Sequence, residues 1–233
     1  MTRMKNFWKT MNIVYEKTVL AVLVVALLIV IYSAYDTWYV FDQATDNSYL
    51  MFRPDRVNAA ELDDSGVPSD MVAWITVDDT NIDYPVMQGE DNARYLNLDP
   101  NGEYSLSGSI FLDSRNAPDF TDPYSVIYGH HMEYGKMFGA LDNFLDDQYL
   151  SSHRTGTLIV GRGGEQTYSL EIFYAMTADA KDEMVFAPEG NEELRQFLEQ
   201  AGYTRSDRII CLSTCAGDAS TTRTVVFAYI LEN

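Results

Sequence analysis

Eight short runs between Met71 and Glu232 constrain most tightly what this chain can fold into. They are "MVAWITV" (71–77), "IDYPVMQ" (82–88), "GSIFLD" (108–113), "YSVIYG" (124–129), "GTLIVG" (156–161), "TYSLEIFYAM" (167–176), "RIICLST" (208–214) and "RTVVFAYILE" (223–232). Each alternates or is rich in β-branched and aromatic residues, and turn residues separate them, which is the pattern of strands. Their spacing predicts a barrel or sandwich rather than a βαβ sheet. Two segments read as helices. In "KMFGALDNFLDDQYLSSH" (136–153), Met137, Phe138, Leu141, Phe144 and Leu145 follow helical spacing. In "NEELRQFLEQAG" (191–202), Asn191 reads as the N-cap, acidic residues fill the first turn and Gly202 is the stop.

Ahead of these runs, Thr18 to Tyr35 is uncharged: "TVLAVLVVALLIVIYSAY". As a helix it spans roughly 27 Å, close to the hydrocarbon thickness of a bilayer. A signal peptide has a shorter apolar region, about 7–15 residues, ending in a small-x-small site. Here Ser33-Ala34 is flanked by Tyr32 and Tyr35, so an uncleaved anchor is expected. Residues 1–34 carry four basic side chains and one acidic, against 12 basic and 34 acidic in the rest. That asymmetry predicts a cytoplasmic basic tail (1–17), a transmembrane anchor (18–35) and an acidic body outside the cell membrane. Residues 36–64 read as a helical stalk, and the turn cluster "DDSGVPSD" (63–70) as the entry to the folded domain (65–233). A body this acidic excludes nonspecific nucleic-acid binding, which needs clustered Lys and Arg.

The two cysteines, Cys211 and Cys215, both lie in "RIICLSTCAG". On a strand they are about 13 Å apart, whereas a disulfide needs Cα atoms within about 7 Å. A zinc site needs three or four ligands, commonly in close pairs, and the chain has only three histidines, His130, His131 and His153. No metal or other cofactor is expected. Nucleophilic catalysis remains. Cys215 sits at the strand end, while Cys211 lies mid-strand and reads as a small core residue. His130 and His131 follow a strand and a glycine in "VIYGHHM". Arg223 begins "RTVVFAYI" across the loop "AGDASTT", so antiparallel pairing would set it opposite Cys215 at the loop's base. His153 reads as a surface or cap residue, and Asp218 as a loop aspartate that could orient a charge near the thiol.

Taken together, "CLSTC", Arg223 and the upstream "YGHHM" resemble a sortase, most closely of class B. Sortases carry a TLxTC-type motif, an Arg at the start of the next strand and a His after a glycine; here Cys211 replaces the usual first Thr. "TNIDYPVMQGEDNARYL", "SGSIFLDSRN" and "YGHHMEYGKMFGALDNFLD" add to the likeness, which spans about 65–233. The resemblance implies an eight-stranded β-barrel with peripheral helices. It also implies a membrane-anchored cysteine transpeptidase of a Gram-positive bacterium, acting through Cys215, His130 and Arg223. Of the two adjacent histidines, the family pattern selects His130, which directly follows the glycine. Ser213 and Thr214 would contact substrate. That substrate would be an LPXTG- or NPXTG-like sorting signal of a surface protein, passed to a peptidoglycan amine or, in a pilus-polymerising enzyme, to a pilin Lys. The lid motif of pilin-type class C enzymes is absent before the core. An inert tethered binding domain and a secreted cysteine protease are the competing classes. The first would tolerate loss of Cys215; the second would gain nothing from added amine.

Overall fold

The computed structural model describes residues 2–45, 48–56, 66–190, 192–215 and 221–232. The chain divides into two compact units, residues 1–43 and 44–233. The first is a single helix, α1 (Thr2–Thr45), in which Phe7–Tyr39 is long and apolar enough to cross a membrane. Of the stalk expected over 36–64, the residues up to Thr45 continue α1. Residues Ser48–Phe52 and Pro54–Arg56 form 3-10 turns, and 57–65 lie outside the described residues. Those turns belong to the folded unit. Phe52 is buried against Trp74 and Met87, and Arg53 donates from Nη1 to both carboxylate oxygens of Asp83 (2.8 and 2.9 Å). Trp74 Nε1 donates to the same Asp83 carboxylate. The folded domain therefore begins before the turn cluster at 63–70.

All eight runs are strands: β1 (Met71–Val77), β2 (Asp83–Met87), β3 (Ile110–Leu112), β4 (Tyr124–His130), β5 (Thr155–Val160), β6 (Gln166–Asp179), β7 (Arg208–Cys215) and β8 (Thr222–Glu232). They close into a barrel in the order β1-β2-β3-β4-β7-β8-β6-β5. Two pairings are parallel, β2 with β3 and β4 with β7; the others are antiparallel.

Alternate residues of β4, β7 and β8 serve two cores. Ile127, Ile210, Leu212, Val226, Ala228 and Ile230 fill the barrel interior. Tyr124, Val126, Cys211, Val225, Phe227 and Tyr229 face outward and are covered by α3 (Glu183–Phe186) and α4 (Glu192–Gln200), which lie between β6 and β7. Burial on both faces is why β4, β7 and β8 read as nearly continuous apolar runs. In α4, Leu194 and Leu198 are the buried pair at i,i+4 spacing, and Gly202 ends the turn in the left-handed region (φ +97°). The expected cap, Asn191, lies outside the described residues.

The helix expected over 136–153 is instead two pieces. Met137 has φ +50° and so cannot lie in a right-handed helix. Gly139–Leu145 is a 3-10 helix, and α2 (Asp147–Ser152) restarts after Asp146, whose carboxylate accepts the Tyr149 N–H. The 3-10 period of three explains the burial: Phe138, Leu141 and Phe144 are sequestered, while Leu145 is exposed. This 3-10 segment packs against β6, β7 and β8 at one end of the barrel.

Asp113, just after β3, is wholly buried. Burial pulls its pKa up. Hydrogen bonds from the Arg115 side chain and N–H, Asn92 and Tyr128 outweigh that and hold the carboxyl below its usual range. Asp113→Asn is expected to cost about 1–3 kcal/mol at pH 7, because it replaces a buried carboxylate that accepts from Asn92, Arg115 and Tyr128 with an amide that cannot accept them all. A depressed folded pKa contributes stability that is fully present above the unfolded value of about 3.9 and is lost as pH falls through the folded one. Urea unfolding should therefore show the gap between variant and wild type narrowing from pH 7 to pH 3; a constant gap would remove the charge from the account.

Candidate active site

Three neighbouring strands end together. β4 and β7 run parallel, with His130 paired to Cys215, and β8 runs back antiparallel to β7. In the β7–β8 register Cys211 faces Phe227 and Ser213 faces Val225, so the next step along the pleat sets position 215 opposite 223. Parity adds a second constraint. Positions 130, 215 and 223 share the outward face of Tyr124, Val126, Cys211, Val225 and Phe227. The residues expected to act together therefore occupy adjacent strand ends on one sheet face.

His130 is half-buried and its ring is oriented. Its Nε2 lies 2.6 Å from the Leu96 carbonyl. A carbonyl only accepts, so Nε2 carries the proton and Nδ1 is the nitrogen left for proton exchange. Two glycines make room for this arrangement. Gly129 faces the interior, where a Cβ would lie 2.4 Å from Ile110 Cδ1 and 2.8 Å from the Phe138 ring. Gly108 (φ +55°) backs onto His130, where a Cβ would meet the Tyr95 and Leu96 carbonyls at 2.6 Å. His131 takes the other face and places Nε2 2.7 Å from Asp142 Oδ2. His153 occupies the C-cap of α2 and stacks on Tyr149, with ring centroids 3.7 Å apart.

Cys211 is a free thiol with no solvent exposure, packed in the outer core. Burial pushes its pKa up to about 12, against a hydrogen bond from Tyr124 that lowers it. It is therefore a neutral core side chain at physiological pH, as its mid-strand position predicted. β7 is extended through both cysteine positions, which keeps them apart. Arg223 is half-buried and paired with Ala178 of β6. Neighbouring Asp179 has its carboxyl held low mainly by the Lys181 N–H, with the charges of Lys181 and Arg223 adding. Ser213 and Thr214 are both buried. The Ser213 hydroxyl donates to the Thr214 carbonyl (3.2 Å), and Thr214 Oγ1 accepts the Thr224 N–H (3.0 Å). Asp218 lies outside the described residues.

Sequence reasoning missed the Leu96 carbonyl and Gly108. A backbone acceptor carries no side-chain signal, and Gly108 is one of 14 glycines. It also missed Asp142, whose carboxylate bonds both His131 and Thr224.

Residues 75–231 match the Sortase domain family. Sortase B of Listeria monocytogenes is 36% identical over 188 residues, covering 76% of this chain and 73% of that protein. Sortase B of Staphylococcus aureus is 33% identical over 179 residues, covering 71% and 72%. Among solved structures, the Streptococcus pyogenes class B sortase Spy0129, involved in pilus biogenesis, superposes with a TM-score of 0.64 at 36% identity, covering 75% of this chain and 98% of that one.

Proposed function

Because the chain belongs to the sortase family, in its class B group, we propose that Cys215, His130 and Arg223 are its catalytic residues. It is a cysteine transpeptidase that acts on sorting signals of surface proteins. The observation that carries the assignment is the pairing of strand ends: His130 in register with Cys215, and Arg223 at the start of the next strand, all on one face.

Those three residues suffice for the chemistry. The Cys215 thiolate attacks the scissile carbonyl, and the resulting oxyanion is met by the Arg223 guanidinium, which is always charged and offers paired donors. The carbon–nitrogen bond breaks as His130 gives a proton to the departing amine, leaving a thioester on Cys215. An acceptor amine then attacks the thioester, surrendering a proton to His130, and the carbon–sulfur bond breaks to free the Cys215 thiolate. The Leu96 carbonyl holds the imidazole so that Nδ1 serves both transfers. Ser213, on the nucleophile's face, borders the substrate; Thr214, on the other face, contributes through its backbone.

The sorting signal is LPXTG- or NPXTG-like and the acceptor is a peptidoglycan amine. The apolar helix anchors the enzyme in the cell membrane, with the basic tail (1–17) cytoplasmic, 18–35 spanning and the catalytic domain, which takes in 48–56 ahead of the expected 65–233, outside. The charge asymmetry of the two parts supports that orientation. A second acceptor, a pilin Lys, is favoured by the likeness to Spy0129.

A library of sorting-signal peptides, incubated with and without candidate amines and read by mass spectrometry, tests the whole reading. The expected result is a new amide joining the cleaved peptide to oligoglycine or a diamino-acid amine. A product on a pilin Lys peptide alone would move the enzyme to pilus assembly. Hydrolysis unaffected by any amine would make it a protease.

A further inference from the structure

Each candidate catalytic residue has a sequence neighbour on the opposite face of the sheet, and a short chain of hydrogen bonds starting from one carboxylate joins those neighbours. His131 follows His130, Thr214 precedes Cys215 and Thr224 follows Arg223. Asp142 Oδ2 accepts from His131 Nε2 at 2.7 Å, and Asp142 Oδ1 accepts from Thr224 Oγ1 at 2.6 Å. The Thr224 backbone N–H in turn donates to Thr214 Oγ1 at 3.0 Å. Asp142 thereby ties the ends of β4 and β8 directly, and the Thr224 N–H carries the connection on to β7.

We propose that Asp142 is a positioning residue that sets the spacing of the strand ends bearing His130, Cys215 and Arg223. This rests on the catalytic assignment above. Its location suits the role. Asp142 sits in the 3-10 segment Gly139–Leu145, whose Leu141 and Phe144, with the preceding Phe138, are sunk in the barrel interior. The carboxylate is therefore carried by an element anchored in the core, and the strand ends are referred to it. Thr224 is itself buried, which shields its bond to Asp142 from water on one side. Further ties at the end of β4 are the Phe138 N–H to the His130 carbonyl (3.0 Å) and the bridge between His131 and Met137. An Asp is required because it must accept at both oxygens: His131 and Thr224 each arrive as donors. Few ladder bonds hold 215 against 223 at this end of the β7–β8 pairing. The last registered pair is Ser213 with Val225.

Misplacing reacting groups by about 1 Å can cost on the order of 10²-fold in turnover. The test measures steady-state kinetics of the full chain in detergent, with LPXTG and NPXTG peptides and triglycine as the amine. Rates of iodoacetamide modification at Cys215 provide a readout needing no peptide. Asp142→Ala is expected to lower kcat between about tenfold and 10²-fold with KM within about threefold, and to change the modification rate by more than about threefold. Asp142→Asn, which keeps the shape and one acceptor, should fall between Ala and wild type; it also serves if the Ala variant does not fold. Thr224→Val should lose kcat, and Thr224→Ser, which retains the hydroxyl, should restore most of it. A kcat for Asp142→Ala within threefold of wild type overturns the proposal. So does equal loss in Thr224→Ser and Thr224→Val. Cys215→Ala and Arg223→Ala run alongside: if either stays active, the catalytic assignment has failed rather than the positioning role.

Discussion

Cys215→Ala is expected to lose peptide cleavage and transfer completely, by more than about 10⁴-fold in kcat, with the fold retained. No other described thiol can take over. Cys211 is buried in the outer core, held neutral by burial at a pKa of about 12, and four strand positions away. Cys211→Ser should therefore leave activity within about tenfold of wild type, its cost falling on packing rather than chemistry. Alkylation at pH 7 followed by peptide mapping should find adduct on Cys215 and none on Cys211 in the folded protein. Normal turnover by Cys215→Ala would sink the mechanism. A loss in Cys211→Ser as large as that of Cys215→Ala would mean that the thiol at 211 takes part.

The second large effect separates two adjacent histidines. His130→Ala should lower kcat between about 10² and 10⁴-fold, the contribution of one general acid–base group. His131→Ala should cost about tenfold, because it removes one arm of the Asp142 tie and no proton-transfer group. Equal or inverted losses would reverse the assignment.

The opposite outcomes for 130 and 131 arise from pleating, which was legible in the sequence as alternation but not as direction. "VIYGHHM" places two imidazoles on two faces of one strand end. Only the packed barrel says which face is which. Gly129 points inward at Ile110 and Phe138, so His130 points outward, to the face shared by positions 215 and 223. The segment 136–153 taught the reverse lesson. Its apolar spacing suited a helix, yet the positive φ at Met137 and the break at Asp146 split it, and a period of three then decided which side chains were buried. Apolar spacing over a single turn does not separate 3.6 from 3.0 residues per turn.

The amino-acid sequence by itself determined the eight strands, the apolar N-terminal helix, the charge asymmetry and which cysteine stands at a strand end. All of these follow from local patterns: side-chain alternation, β-branching, turn residues and the length of an uncharged run. Only the tertiary structure decided that residues 48–56 pack onto the barrel, that Leu96 orients His130 across 34 positions of chain, and that Asp142 reaches Thr224 across 82. Those contacts are non-local. A backbone carbonyl or a lone aspartate on a 3-10 turn gains its role only when barrel closure brings distant strand ends within hydrogen-bond distance.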